Sequence, residues 1–285
     1  MTLLVFGSTG QVARELALVA PTARFVGRAE ADLTDPAACA RLICDARPDA
    51  VINAAAWTAV DLAEEQEAAA RVVNGEAPGR MAEACAELGA AFVHISSDYV
   101  FSGAGEAPWR EDDATAPINA YGRSKRLGEE QVLRHGGRCA ILRTSWVFSR
   151  FGANFVRTML RAGEGRSSLR VVNDQIGGPT PASAVARACL DLATGRRESG
   201  ARPGLYHLAG APDVSWAGFA SAIFAAAAME CEVVGAPSSD CPRPARRPSN
   251  SRLDCGRIKR HLGVQRPDWR SALGPIVGHL RTDDA

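Results

Sequence analysis

The sequence of 285 residues has almost no net charge, with 33 Lys+Arg against 32 Asp+Glu for a formal +1. A basic excess or stripe of the kind that grips a phosphate backbone is therefore missing, and no nucleic-acid partner is expected. A long apolar run is missing too. The longest, residues 216–229, has 14 residues and is interrupted by Ser221, short of the roughly 20 a membrane helix needs. It reads as a buried helix, and no membrane partner is expected. No charged-then-apolar leader separates Met1 from the strand-like residues 2–6. The eight cysteines (39, 44, 85, 139, 189, 231, 241 and 255) form no Cys-x-x-Cys and have no histidine at zinc spacing. They read as small buried hydrophobes in a reducing compartment. No unit recurs at a period of about 20–50 residues, which excludes a solenoid. Wholesale disorder is excluded by 46% hydrophobic and 23% charged residues. At a usual domain size of about 150 residues, a soluble, intracellular globular protein of one large or two coupled domains is expected.

Short apolar or β-branched runs recur with helical segments between them. Runs at 3–6, 25–26, 50–53, 92–96 and 140–143 read as strands, and residues 10–19 as the first helix. Asp35-Pro36 opens another helix, with Pro at its first position. This alternation predicts an α/β fold with a parallel sheet. Beyond about residue 150 Pro and Gly become frequent and strands fewer, with candidates at 169–172 and 205–208. Ligands of such sheets lie beyond the carboxyl ends of the strands, so strand-end residues matter most.

The first strand runs into Gly7-Ser8-Thr9-Gly10-Gln11-Val12-Ala13, a G-x-x-G-x-x-A variant of the dinucleotide fingerprint. Glycines there permit a tight turn and close approach of a pyrophosphate to a helix N-terminus. Where an acid for the ribose hydroxyls is usual, Gly27 and Arg28 stand instead. Arg28 suits a 2′-phosphate, while Glu30 or Asp32 could still reach the ribose. The third strand ends in Asn53-Ala54-Ala55-Ala56, where small side chains admit a flat ligand and Asn53 could hold its polar edge. Tyr121-Gly122-Arg123-Ser124-Lys125 places a phenol and an ammonium on one helix face. Arg126 and Glu130 fall on the other side as an exposed pair. A tyrosine titrates near about 10, and an adjacent cation favours the phenolate. Such a pair can deliver a proton to a carbonyl oxygen. Ser97, in Ser96-Ser97-Asp98-Tyr99 at the end of the fourth strand, can grip the same oxygen. His94 reads as a strand residue.

In this order the motifs resemble the extended short-chain dehydrogenase/reductases, and within them the dTDP-4-dehydrorhamnose reductase family. The likeness runs through LLVFGSTGQVARE, PDAVINAAAWTAVD, VHISSDYVFSG, APINAYGRSKRLGE, LRTSWVF, NFVRTML, VVNDQIGGPT, GLYHLAG and RPSNSRLD, the last five carrying its specificity. The resemblance implies a Rossmann-type doubly wound parallel sheet over residues 1–150. A smaller, mixed α/β sugar-nucleotide-binding portion over 151–285 would follow, with the chain crossing back between the two. It implies reduction of the 4-keto group of dTDP-6-deoxy-L-lyxo-4-hexulose to dTDP-L-rhamnose, the last step of dTDP-rhamnose biosynthesis. The hydride would come from NADPH, with NADH as the alternative.

Carried over by motif, Tyr121 donates the proton, Lys125 holds the nicotinamide ribose and lowers the phenol pKa, and Ser97 replaces the family's usual Thr. Gly7, Thr9, Gly10, Gln11, Val12, Arg28, Asp32, Leu33, Asn53, Ala54, Ala55 and Ala56 would line the cofactor. Asp98, Tyr99, Trp146, Asn154, Asn173, Gln175, Asn250 and Arg252 would serve the sugar nucleotide. Trp146 would lie against an apolar sugar face and Arg252 against the diphosphate. Arg246 and Arg247 read as solvated. Glu15 matches one position of a Mg²⁺ site that some relatives have at a dimer contact, but its companions do not assemble, so no metal is expected. A homodimer stays open. Two alternatives remain: a non-catalytic dinucleotide-binding subunit of the methionine adenosyltransferase β type, and a sugar-nucleotide epimerase or dehydratase.

Overall fold

A computed structural model describes residues 1–195 and 203–283. Its first strand, Leu3–Phe6 (β1), is apolar at every position because both faces are covered. Leu3 and Val5 turn into one core, Leu4 and Phe6 into another. The chain continues through Gln11–Val19 (α1), Arg24–Val26 (β2), Pro36–Ala46 (α2), Ala50–Asn53 (β3), Val60–Glu65 (α3), Glu67–Arg71 (α4) and Ala77–Leu88 (α5). Then come Ala91–Ser97 (β4), Ala120–His135 (α6) and Cys139–Thr144 (β5). Asp35 starts α2 as expected, its carboxylate accepting from the Ala38 N–H at 2.9 Å.

The second half holds Val147–Phe148 (β6), Phe155–Gly163 (α7), Ser168–Val172 (β7), Ile176–Gly177 (β8), Thr180–Pro181 (β9) and Ala182–Thr194 (α8). After it follow Gly204–Leu208 (β10), Val214–Ser215 (β11), Trp216–Ala226 (α9), Glu232–Ala236 (β12), Asn250–Ser251 (β13), Gly256–Leu262 (α10) and Trp269–Asp283 (α11). The large sheet is parallel throughout, in the order β10-β5-β4-β3-β1-β2. Helices α1 and α8 cover one face, and α2, α5 and α6 the other. The order in which strands are added reverses between β1 and β3, which opens a crevice at their carboxyl ends.

The division at residue 150 does not cut the molecule cleanly. Every residue of β5 is buried, so β5 cannot be an exposed sheet edge. β10 returns from beyond residue 200 to pair with it, and α8 packs back on α1. The remaining portion has its own core, with Phe148, Val156, Phe219, Ile223, Trp269 and Leu273 between α7, α9 and α11. The apolar run at 216–229 is helical only through Ala226, because Ala228 turns left-handed at φ 49. Among the described residues no helix is long and apolar enough to cross a membrane. All eight cysteines are free, and six are buried.

Candidate active site

A cleft of about 720 Å³ opens at the carboxyl ends of β1, β3, β4 and β5. Its floor is the turn after β1. Gly7 has φ 100, and a Cβ there would stand 2.9 Å from the Ala55 nitrogen and 3.0 Å from the Ala54 carbonyl carbon. Only glycine fits this approach of two strand ends. Gly10 then starts α1 with no side-chain cap and no acid in the first turn, so the leading N–H groups of the helix are unclaimed. Gln11 and Val12 form the adjoining wall. At the rim the Arg28 side chain is 85% exposed and 3.9 Å from Asp32. The Thr34 N–H, 2.9 Å from Asp32, and then Arg28 hold that carboxyl below its usual range. A cradle closed to any Cβ, an open helix N-terminus and a rim cation together fit the pyrophosphate and 2′-phosphate of a dinucleotide.

The opposite wall is α6. Asn119 caps it, accepting from the Gly122 N–H at 2.7 Å, and so fixes where Tyr121 and Lys125 begin their shared face. Arg126 and Glu130 pair at 2.8 Å on the exposed side, as the spacing predicted. The Tyr121 ring meets Tyr99 edge-on at 5.6 Å, and its phenol is close enough to the Ser97 hydroxyl to feel its pull. Ser97 Oγ also donates to Asp98 Oδ1 at 3.0 Å and accepts from the Tyr99 N–H at 3.2 Å. Tyr121, Ser97 and Asp98 thus stand in one row on the cleft wall, Ser97 and Asp98 joined by a hydrogen bond.

Burial dominates the electrostatics of this row. It pushes the Tyr121 phenol up to about 12, against the opposing pull of Ser97. It raises the Asp98 carboxyl to about 7, against the hydroxyls of Ser251 and Ser97. Asp98 Oδ2 itself is buried without a hydrogen-bond partner. Burial also lowers Lys125 to about 8. Lys125 Nζ donates to the Ile95 carbonyl at 2.7 Å and lies 3.3 Å from His94 Nε2. The expected depression of the phenol by a neighbouring ammonium is not seen in this state: burial raises the phenol, and the groups that shift it are Ser97 and Asp98.

The residues expected to serve the site divide into two groups. Gly7, Thr9, Gly10, Gln11, Val12, Arg28, Asp32, Leu33, Ala54, Ala55, Ala56, Ser97, Asp98, Tyr99, Tyr121, Lys125 and Trp146 line the cleft. Asn53 does not. It is fully buried beneath the floor, accepting from the Ala55 N–H at 3.1 Å and facing His94 Nδ1 at 3.2 Å. Asn154 caps α7 and donates to Gln11 Oε1 at 3.1 Å, acting behind the wall. Gln175 accepts from the Trp216 indole N–H at 3.2 Å, and Asn173 is exposed against Gly235. Asn250 donates to the Ala107 carbonyl at 2.8 Å, while Arg252 turns back on Asn250 at 3.1 Å. None of these five lines the cleft. Arg247 is not simply solvated, since it pairs with Asp61 at 2.9 Å.

Strand alternation explains the miss at β13. Neighbouring residues turn to opposite sides, so the residue facing Asp98 is Ser251, between the two expected ones. Trp216 was hidden inside an apolar run, yet it stacks on Trp146 at 3.5 Å and 10° on the cleft wall. Ser96 Oγ and Thr144 Oγ1 are buried on that wall without partners, which only the packing reveals. Among the described residues no group of three or more His, Cys, Asp or Glu gathers as a metal site. Glu15 instead accepts from the Ser149 hydroxyl at 2.7 Å.

Comparison with known proteins places the chain in a family. The family model of the RmlD substrate binding domain matches residues 1–282. A dTDP-4-dehydrorhamnose reductase of Burkholderia thailandensis is 46% identical, over 98% of this chain and 99% of its own. The crystal structure of a dTDP-4-dehydrorhamnose reductase from Clostridium acetobutylicum superposes with a TM-score of 0.92 at 33% identity, covering 99% of this chain and 100% of that one. One from Bacillus anthracis, in complex with NADP, does so with a TM-score of 0.89 at 31% identity, covering 97% and 99%. With the fingerprint turn, the Tyr121–Lys125 face and a match along nearly its whole length, the chain belongs to the dTDP-4-dehydrorhamnose reductase family.

Proposed function

We propose that this protein reduces the 4-keto group of dTDP-6-deoxy-L-lyxo-4-hexulose to dTDP-L-rhamnose, using NADPH in preference to NADH. The observation that carries the proposal is the row Tyr121–Ser97–Asp98, standing across one cleft from the turn at Gly7. A bound dihydronicotinamide supplies the hydride. The residues of the chain do the rest. The turn at Gly7 and the first N–H groups of α1 receive the pyrophosphate, and Arg28 the 2′-phosphate. Ser97 and Tyr121 orient the keto oxygen, and Tyr121 gives its proton as negative charge develops there. A phenol held at about 12 stays protonated until that charge forms. Lys125 fixes the nicotinamide ribose beside it. The stacked Trp146 and Trp216 offer an apolar face to the sugar ring.

A dTDP-sugar as substrate, a homodimer as assembly and the cytoplasm as compartment complete the proposal. The deciding assay follows loss of dihydronicotinamide absorbance with the 4-keto sugar generated enzymatically from dTDP-glucose. Oxidation that requires both the dTDP-sugar and its epimerase is the expected result. Binding of NADPH with no oxidation under any of these conditions would transfer the assignment to the regulatory-subunit alternative.

A further inference from the structure

Beneath the cleft floor a chain of hydrogen-bonding groups runs from the loop after β3 to Lys125, and its donors and acceptors can be assigned. The Ala55 N–H can only donate, and it is 3.1 Å from Asn53 Oδ1. That contact fixes the Asn53 amide, since a flipped amide would set its NH₂ against the Ala55 N–H. Asn53 Nδ2 therefore faces His94 Nδ1, at 3.2 Å, as a donor. His94 is fully buried, and that burial keeps its ring neutral. A neutral imidazole with an accepting Nδ1 carries its single proton on Nε2. That proton points at Lys125 Nζ, 3.3 Å away, while Nζ donates to the Ile95 carbonyl at 2.7 Å. An uncharged amine completes this chain with every group satisfied. An ammonium would set donor against donor, either at Nε2 or, after a tautomer change, at Asn53.

We propose that His94 is a positioning residue whose Nε2–H favours the uncharged form of the Lys125 amine, tying the charge of Lys125 to the backbone of the loop 54–56. The other groups around Lys125 do not supply this effect. Glu129, one turn along α6, favours the ammonium but is itself claimed by Arg143 of β5 at 2.6 Å. Tyr121, on the same helix, remains protonated. Asn74 is occupied with Ser124 and the backbone of Trp57. In the proposed reduction, hydroxyl acceptors of a bound dinucleotide would shift Lys125 toward the ammonium, coupling binding to proton uptake. That consequence rests on the proposed function. The position of the proton does not.

The test needs neither cofactor nor substrate. The chain contains two lysines, Lys125 and the exposed Lys259, so protein labelled with ¹³C at lysine Cε gives two signals to titrate. Lys125 is expected to titrate near about 8. In His94→Gln a carbonyl can accept from the ammonium, and the midpoint is expected to rise by about 1 to 2 in pH. An unchanged or lowered midpoint overturns the proposal. Should that variant fail to fold, long-range ¹⁵N–¹H spectra of the parent, taken above the Lys125 midpoint, decide the question. The Nε2–H tautomer of His94 is expected, and Nδ1–H overturns the assignment.

Discussion

Replacing Gly7 with alanine perturbs the cleft at its most constrained point. The new Cβ would lie 2.9 Å from the Ala55 nitrogen and 3.0 Å from the Ala54 carbonyl carbon and the Ala55 Cα. All three are backbone atoms of the strand end beside β1, so no side chain can swing aside. The residue would also have to hold φ 100, which costs an L-amino acid about 1–2 kcal/mol. Crowding of a packed site adds about 1–3 kcal/mol, and the two together give a loss of about 2–5 kcal/mol if the turn keeps its shape. Alternatively the turn opens and relieves part of that strain, and the phosphate cradle is lost with it. Urea unfolding measures the first effect as a lower midpoint at unchanged slope. Fluorescence titration with NADPH measures the second, with weakening of about tenfold or more expected for a loss of about 1.4 kcal/mol. A variant with the parent's NADPH affinity would refute the placement of the pyrophosphate on this turn, whatever its stability.

Three further outcomes follow from the same geometry. Tyr121→Phe removes the phenol but leaves Ser97 bonded to Asp98 and to the Tyr99 N–H. No buried group is orphaned, so turnover should fall by about 10²–10⁴ with cofactor affinity intact; near-normal turnover would remove Tyr121 as the acid. Arg28→Ala should weaken NADPH more than NADH in equilibrium titrations, because the lost cation is the one proposed for the 2′-phosphate, and equal weakening would contradict that role. The folded protein holds a proton on Asp98 up to about 7, whereas the ordinary carboxyl loses it near 3.8. Between those values the native state binds more protons than the unfolded chain, so this group makes stability fall as pH rises. Asp98→Asn should abolish that contribution and raise the urea midpoint at about pH 8 relative to the parent, with no gain at acid pH; a midpoint that falls at both would contradict the buried-proton reading.

Much of the architecture was legible in local sequence. Strands β1 and β3 fall at the residues their apolar runs predict, because a strand covered on both faces tolerates little else. The glycine turn after β1 and the Tyr121–Lys125 spacing depend only on short-range geometry, a backbone conformation and a helical period, so they too were visible without the fold. The sequence also determined the chemical inventory: a phenol, an amine, a hydroxyl and an arginine.

Tertiary structure decided which of these groups meet, and in what electrical state. Asn53 reads like a ligand contact but lies under the floor, because the next two alanines, not the asparagine, form the surface there. Ser251 rather than Asn250 or Arg252 faces Asp98, since the phase of a two-residue strand is set by its partner β8 and not by its own sequence. β10 joins the large sheet from beyond residue 200 because the fully buried β5 needs a neighbour. The pKa order in the cleft, with Tyr121 and Asp98 raised and Lys125 lowered, follows from how much water the assembled walls exclude. The chain therefore carries its reagents in its sequence, while their protonation belongs to the packing, because desolvation depends on neighbours drawn from β3, β4, β5 and α6 at once.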